Sequence, residues 1–341
     1  MDMSNSPILL LADGRIATTA LIERLLRATG RSVTTIASEE ILGCSLAGQQ
    51  LFVSRLCHPR LSWLPSAFRE RRIPYVYFVD DNFFELTPDI DPYNGAFFSN
   101  PAVHDSLDYF LKGAKSVWVM SKPFQQYLQR RHPNLTLEFV YGAVDLALFD
   151  KYRRPRSAAA NQPIRIGYPT TRKLNVASLV SDFVRGCERR FGEGVLFEFV
   201  GWCPDEIANH RTVTLFPAVD DYEKFVAFSQ SRCWDIGLAP LGDSPFENAK
   251  TNVKYREYAA AYVPGVYSDG PLFQACIRHG ETGLLAPNDA SAWVDAIGKL
   301  VESSALRTSI ALAARADIEE KHAQDVVAAQ VAALLAKAEA L

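Results

Sequence analysis

Residues 235–288 constrain the fold more tightly than any other stretch of the chain. They contain Asp235-Ile-Gly-Leu-Ala-Pro-Leu, Ser244-Pro-Phe-Glu-Asn-Ala-Lys-Thr-Asn-Val-Lys-Tyr-Arg-Glu-Tyr258, Pro264-Gly-Val-Tyr-Ser-Asp269 and His279-Gly-Glu-Thr-Gly-Leu-Leu-Ala-Pro287. The order reads as strand, loop, helix, strand, turn, strand. The apolar run 236–238, bounded by Pro240 and Gly242, suits a buried strand of a parallel sheet, whose loop opens at the carboxyl end where ligands bind. Thr251 or Asn252 can cap the following helix and Pro264 with Gly265 closes it, which predicts a helix over 252–261. Its amino end then faces the ligand crevice with unpaired amides and a partial positive charge, a setting suited to a phosphate. Lys250, Lys254 and Glu257 are spaced four and three residues apart and line one stripe of that helix or its lead-in. Spacing alone leaves open an ordinary solvent-facing lysine–glutamate pair.

Together these residues resemble the donor half of nucleotide-sugar glycosyltransferases with two facing Rossmann-like domains (the GT-B fold), specifically the retaining family 4 group, also called glycosyl transferases group 1. Lys254, Glu257, Tyr258, Pro264, His279, Gly280, Thr282, Gly283, Leu284 and Leu285 carry the match. The resemblance implies that Glu257 holds the ribose hydroxyls of the donor. One departure stands out: the family has a second glutamate on the transferred-sugar side, and the corresponding position, eight before Glu257, is Ala249, with Glu247 out of register.

A chain of 341 residues exceeds the size at which one core keeps growing, so two domains are expected. The formal net charge of -3 gives no general case for nucleic-acid binding, although short basic clusters occur at 69–72, 130–132 and 151–156. Six cysteines lack the close spacing of zinc or redox motifs and read as free thiols of a reducing cytosol. The apolar run 8–12 is too short for a signal-peptide core, and no stretch reaches the length of a membrane span.

Strands are expected at 8–12, 33–36, 51–53, 75–79, 117–120 and 137–140, with helices over 16–28, 102–112 and 123–131, a parallel α/β pattern. The first strand–loop–helix unit lacks Gly-x-Gly-x-x-Gly and is not read as a nicotinamide or flavin site. In Tyr77-Phe-Val-Asp-Asp-Asn-Phe-Phe84 an apolar strand ends in Asp80 and Asp81, which places both carboxylates at the sheet's carboxyl end. A turn-capping role for Asp80 is equally open, and two carboxylates fall short of the three oxygen ligands a metal would need. Asp81 is expected to orient an acceptor hydroxyl or assist its proton loss, with Asp80 structural.

Val117-Trp-Val-Met-Ser121 and Tyr141-Gly-Ala-Val-Asp-Leu-Ala-Leu-Phe149 resemble the end of the family's first domain, with Tyr141 replacing its usual Asn. The segment 151–162, basic and rich in Pro, Ser and Ala, reads as a linker. Beyond it, a strand over 164–167, a loop through Lys173 and a helix from 176 resemble the family's opening of the donor domain. Lys173 matches by spacing the basic residue that reaches the diphosphate; an earlier family arginine is Tyr168 here, with Arg172 as its substitute. Strands at 196–200 and 213–216 and helices at 222–231, 290–302, 305–321 and 324–339 follow, and in the family the last helix crosses back onto the first domain.

The sequence thus predicts an α/β protein of GT-B type with parallel sheets: an acceptor-side domain over 1–150, a linker over 151–162, a donor domain over 163–322 and a returning helix over 323–341. The expected catalytic set is Asp81, Lys173 and Lys254. The donor set is Arg172, Lys173, Phe246, Glu247, Asn248, Lys250, Thr251, Asn252, Lys254 and Glu257, with no metal and no cofactor beyond the nucleotide-diphosphate sugar. A saccharide or lipid-linked saccharide of a bacterial capsule or lipopolysaccharide is the expected acceptor, and cytoplasmic residence with peripheral contact at the inner membrane face is the expected location. Two alternatives stand beside this reading: a non-catalytic nucleotide-sugar-binding or partner-binding module, favoured by Ala249, and a transferase acting on DNA or protein.

Overall fold

The computed structural model describes residues 6–14, 17–44, 46, 48–154 and 162–340. Residues 155–161 of the expected linker, and the expected helix start at Ile16, lie outside them.

Among the described residues twelve strands alternate with helices: β1 (Ile8–Ala12), β2 (Val33–Ile36), β3 (Gln50–Ser54), β4 (Tyr75–Phe78), β5 (Ser116–Val119), β6 (Leu137–Phe139), β7 (Ile164–Pro169), β8 (Val195–Val200), β9 (Val213–Phe216), β10 (Ile236–Ala239), β11 (Gly265–Ser268) and β12 (Leu284–Ala286). They form two six-stranded sheets, ordered β2-β1-β3-β4-β5-β6 and β12-β11-β10-β7-β8-β9. Every strand pair is parallel. Strand order reverses between β1 and β3 in the first sheet and between β7 and β10 in the second. Such switch points splay the connecting loops apart and open a crevice at the carboxyl ends of the strands.

The chain divides into two compact units. One comprises the residues to Ala143 with Ser244–Thr251 and the segment from Gln324; the other comprises Val144–Asp243 and Asn252–Ala323. In the first unit the period-two alternation of a strand sorts side chains onto two faces. Leu9, Leu11, Leu51, Val53, Tyr75, Tyr77, Val117 and Val119 join one apolar cluster, and Ile8, Leu10, Phe52, Val76, Phe78 and Trp118 join another. The second of these layers is completed by the helix Ala17–Ala28 and by the last helix, Gln324–Ala340, whose Val327, Val331 and Leu335 recur at four-residue spacing and are buried. The last helix is also tied by Arg31, whose guanidinium lies 2.6 Å from the Glu339 carboxylate with both side chains largely out of water.

The second unit is sandwiched in the same way. Ile236 and Leu238 face the layer of Phe183 and Trp293, whose rings stack at 5.1 Å, while Ala239 belongs to the opposite layer with Tyr255, Tyr258 and Ile318. Gly237 lies on that second side, and a Cβ there would stand 2.7 Å from the Tyr258 ring. Only glycine lets the helix Val253–Ala260 approach β10 this closely. All six cysteines are free thiols.

Short elements without a full period escape the sequence reading, among them Leu64–Glu70, Leu146–Tyr152 and Pro245–Asn248. Asp145 nonetheless does what a capping aspartate should, accepting from the Leu148 amide at 2.9 Å at the start of Leu146–Tyr152.

Leu335 is wholly buried where the last helix meets its layer. Leu335→Ala should lower stability by about 2–5 kcal/mol in urea unfolding. A loss under about 1 kcal/mol would show that this helix adds little to the fold.

Candidate active site

The second unit's switch point is where the donor residues were sought. From β7 the chain runs through Thr170, bonded to Val200 by its amide at 2.9 Å, to exposed Arg172 and half-buried Lys173, then into the turn Leu174–Val176 and the helix Ala177–Phe191. From β10 the loop turns at Leu241, whose amide donates to the Ser268 hydroxyl at 2.8 Å. Asn288 donates to the Leu241 carbonyl at 2.8 Å and to Asp243 at 3.1 Å, so the loops after β10, β11 and β12 are tied to one another.

The helix Val253–Ala260 begins at Asn252, the expected cap, but the capping bond is not made. The Asn252 side-chain oxygen accepts instead from the Arg256 Nε at 3.0 Å, so the first-turn amides receive no acceptor from the cap. The expectation that Thr251 or Asn252 would satisfy them is corrected: a buried arginine one turn on competes for the same oxygen. Lys254 Nζ lies 3.0 Å from Glu257 Oε2, with side-chain exposures of 26% and 10%. This is not the freely solvated pair that spacing left open; breaking it strands a largely desolvated carboxylate.

Several bonds fix this helix. Tyr255, fully buried, donates to Asp317 at 2.7 Å; Arg278 and Lys321 donate to the same carboxylate at 2.8 and 2.6 Å. Burial pushes the Asp317 carboxyl up, and the bonds from Lys321, Arg278 and Tyr255 outweigh it and hold the group below the usual carboxylate range. Tyr258 donates to the Leu238 carbonyl of β10 at 2.7 Å. The His279-Gly-Glu-Thr-Gly turn closes on itself: Thr282 accepts from the Arg278 amide at 3.0 Å and His279 Nδ1 from the Leu285 amide at 3.0 Å. Gly280 has φ +80°, the left-handed conformation a tight turn needs. Its residues therefore shape the turn, which presents β12.

Phe246, Glu247, Asn248, Lys250 and Thr251 pack with the first unit. Phe246 and Ala249 are buried in its apolar cluster with Phe83 and Leu86. Glu247 is buried and accepts from the Ser244 hydroxyl at 3.0 Å; Asn248 and Thr251 are half-buried. Lys250 precedes the helix by three residues, with its ammonium 4.2 Å from the Phe246 ring centre. The position where a second glutamate was sought is thus filled by a buried methyl group.

In the first unit a cluster forms at the β1/β3 switch point that sequence reasoning missed in part. Asp80 is buried beyond the end of β4 and accepts from Thr18 at 2.8 Å and from the Arg55 guanidinium at 3.1 Å. Burial and the neighbouring Asp81 charge push the Asp80 carboxyl up to about 6, against the pull of Arg55 and Thr18. Arg55 holds φ +59°, and its guanidinium lies 4.7 Å from the Phe83 ring centre. Asn82 is wholly buried with neither amide atom hydrogen-bonded among the described residues. Asp81, half-buried, accepts from the Phe83 amide through its backbone oxygen at 3.0 Å. Among the described residues no three acidic, histidine or cysteine side chains gather as a metal site, and no helix is long and apolar enough to cross a membrane.

No family model matches the chain, and no curated protein matches it in sequence. Its likeness is to solved structures. Sucrose-phosphate synthase from Thermosynechococcus elongatus superposes with a TM-score of 0.73 over 98% of this chain and 100% of that one, at 14% identity. HepE of Anabaena, solved with UDP-glucose, gives 0.73 over 98% and 100%, also at 14% identity. A glycosyltransferase from Rickettsia africae gives 0.61 over 97% and 98%, at 13% identity. The fold is therefore the GT-B glycosyltransferase fold.

Asp80 generates a pH prediction. Its proton is held more tightly in the folded chain, so its contribution to stability is present below about pH 4 and is lost as pH rises through about 6. Asp80→Asn should remove that decline while leaving the acid limb set by depressed carboxylates such as Asp317. Urea midpoints of both chains from pH 4 to 7 test this; parallel curves would refute it.

Proposed function

We propose that the chain is a glycosyltransferase of the EC 2.4 class that moves a sugar from a nucleotide-diphosphate sugar to a saccharide or lipid-linked saccharide, with retention and without a metal. The observation that carries this reading is the largely buried Lys254–Glu257 pair near the amino end of a helix that opens at the second sheet's switch point. The second unit takes the donor: Glu257 accepts from the ribose hydroxyls, while Lys254, Lys173 and Arg172, with the Asn252 end of the helix, meet the diphosphate. Charge grows on the diphosphate as the glycosidic bond breaks, and fixed cations with helix amides stabilise that change more than they stabilise the ground state. Phe246, Glu247, Asn248, Lys250 and Thr251 are proposed as donor contacts on sequence grounds alone.

The first unit takes the acceptor, with Asp81 orienting its hydroxyl and the Asp80–Arg55–Thr18 cluster holding the backbone of Asp81 in place. The complexes of HepE with UDP-glucose and of Staphylococcus aureus TarM with UDP and α-GlcNAc-glycerol support a nucleotide-sugar donor and a sugar-bearing partner. Assembly of a bacterial capsule or lipopolysaccharide, in the cytoplasm or against the inner membrane face, is the setting we assign. A second reading, binding of the nucleotide sugar without turnover, is favoured by Ala249, whose buried methyl offers nothing to the transferred sugar. Release of nucleotide from a radiolabelled donor separates the two.

The substitutions should fail differently. Glu257→Gln should weaken nucleotide binding by about 1–3 kcal/mol, through the loss of charge-assisted hydrogen bonds. Lys254→Ala should depress turnover on the order of a hundredfold while binding changes less. Full activity in both variants would end the donor-site assignment. Asp81→Asn should lower turnover at nearly unchanged nucleotide affinity; an equal loss of nucleotide binding would move Asp81 to the donor side.

A further inference from the structure

The second unit contains a cavity of about 270 Å³ that the proposed chemistry does not use. Trp234 and Val263, which precede β10 and β11, line it, so it lies at the amino ends of these strands, away from the carboxyl-end loop that carries Lys173 and from the helix start that carries Lys254. Arg153 and Arg154 stand at its rim, with the Gln230 amide, the Tyr262 ring, Trp234 and Thr308 along its walls.

Three features mark it as built to hold a ligand. Neither Arg153 nor Arg154 has an acidic partner among the described residues, and Arg153 is held 4.1 Å from the Tyr262 ring centre. A cation–π contact of that kind restrains a guanidinium while leaving its N–H groups able to meet an acceptor. Gln230 is 7% exposed, and its side-chain amide has no hydrogen-bond partner among the described residues. Tyr262 and Cys233 hold left-handed backbone, at φ +55° and +51°, which is how the two helices that stop beside the cavity end.

The helices Tyr222–Arg232 and Val253–Ala260 end beside the cavity, and helix carboxyl ends repel anions. Their terminal carbonyls are already engaged: Gln230 accepts from the Cys233 amide at 3.3 Å, Ala259 from Tyr262 at 3.1 Å and Tyr258 from Val263 at 2.8 Å. Each end carries roughly half a charge, less than two full guanidinium charges together.

We propose that this cavity binds a phosphomonoester of a small polyol or sugar. The two guanidiniums at the rim match the charge of roughly -1.5 to -2 that a phosphomonoester carries at neutral pH. The volume behind them exceeds what a bare phosphate needs, and Gln230, Thr308 and the Trp234 wall suit a hydroxylated body with one apolar face. Tyr262 lies two residues past the end of the helix whose other end carries Lys254, so an occupant bears on the same rigid element.

The test is thermal unfolding and calorimetry of the intact chain with glycerol phosphate, ribose phosphate and glucose phosphate, alongside inorganic phosphate, unphosphorylated glucose and phosphatidate vesicles. At least one ester should raise the melting temperature of the native chain, and the double variant Arg153→Ala, Arg154→Ala should bind it at least about tenfold more weakly. Gln230→Leu should weaken the ester and leave inorganic phosphate unchanged. No response to any ester, equal binding by the double variant, a response to inorganic phosphate as strong as to the esters, or binding to vesicles alone would each overturn the proposal. The readout is independent of sugar transfer, so it stands or falls apart from the donor-site reading.

Discussion

The Asp317 carboxylate is the node on which the candidate donor site depends. It is nearly removed from water and gathers the Tyr255 hydroxyl, the Arg278 guanidinium and the Lys321 ammonium. Tyr255 belongs to the helix that bears Lys254 and Glu257, Arg278 opens the glycine-rich turn before β12, and Asp317 and Lys321 lie on the helix Ser304–His322. One charge therefore joins three segments that are remote in sequence. A carboxylate so placed is costly to bury and costlier to leave unpaired, which makes the arrangement of its donors specific. The orientation of Lys254 and Glu257 follows from this bond and from the close approach of Tyr258 to Gly237.

The first unit solves a similar problem with a less comfortable balance. Asp80 has a cation and a hydroxyl beside it, yet burial and the charge of Asp81 win, and Arg55 reaches it only from a left-handed backbone. Asn82, next but one along the chain, has its amide buried without partners. Strain and unpaired polarity are thus concentrated in a few residues at this switch point.

Most of the architecture was legible because the strands are short apolar runs bounded by Gly, Pro or charge, and the helices carry a clear apolar stripe. The Lys254–Glu257 contact was legible for the same reason: helical spacing brings the two side chains together whatever surrounds them. Arg55 was not. It follows β3, and only the parallel register of Ser54 with Phe78 brings it alongside the end of β4, a pairing that no local pattern encodes. A charged residue immediately after an apolar strand was the signal available. The burial of Phe246 in an apolar core was not legible either, because a short loop segment has no periodicity to assign it a face. The cap at Asn252 was misjudged because the competing Arg256 is itself buried, and burial of an arginine leaves no mark in composition or spacing.

The central claim is that the second unit recognises a nucleoside diphosphate through the helix Val253–Ala260. Calorimetric titration of the native chain with UDP, GDP, ADP, dTDP and CDP tests it most directly. The account predicts saturable, enthalpically detectable binding of at least one of them, accompanied by slowed amide exchange in the first turn of that helix. Absence of binding by all five, or binding that leaves exchange in that turn unchanged, would contradict it.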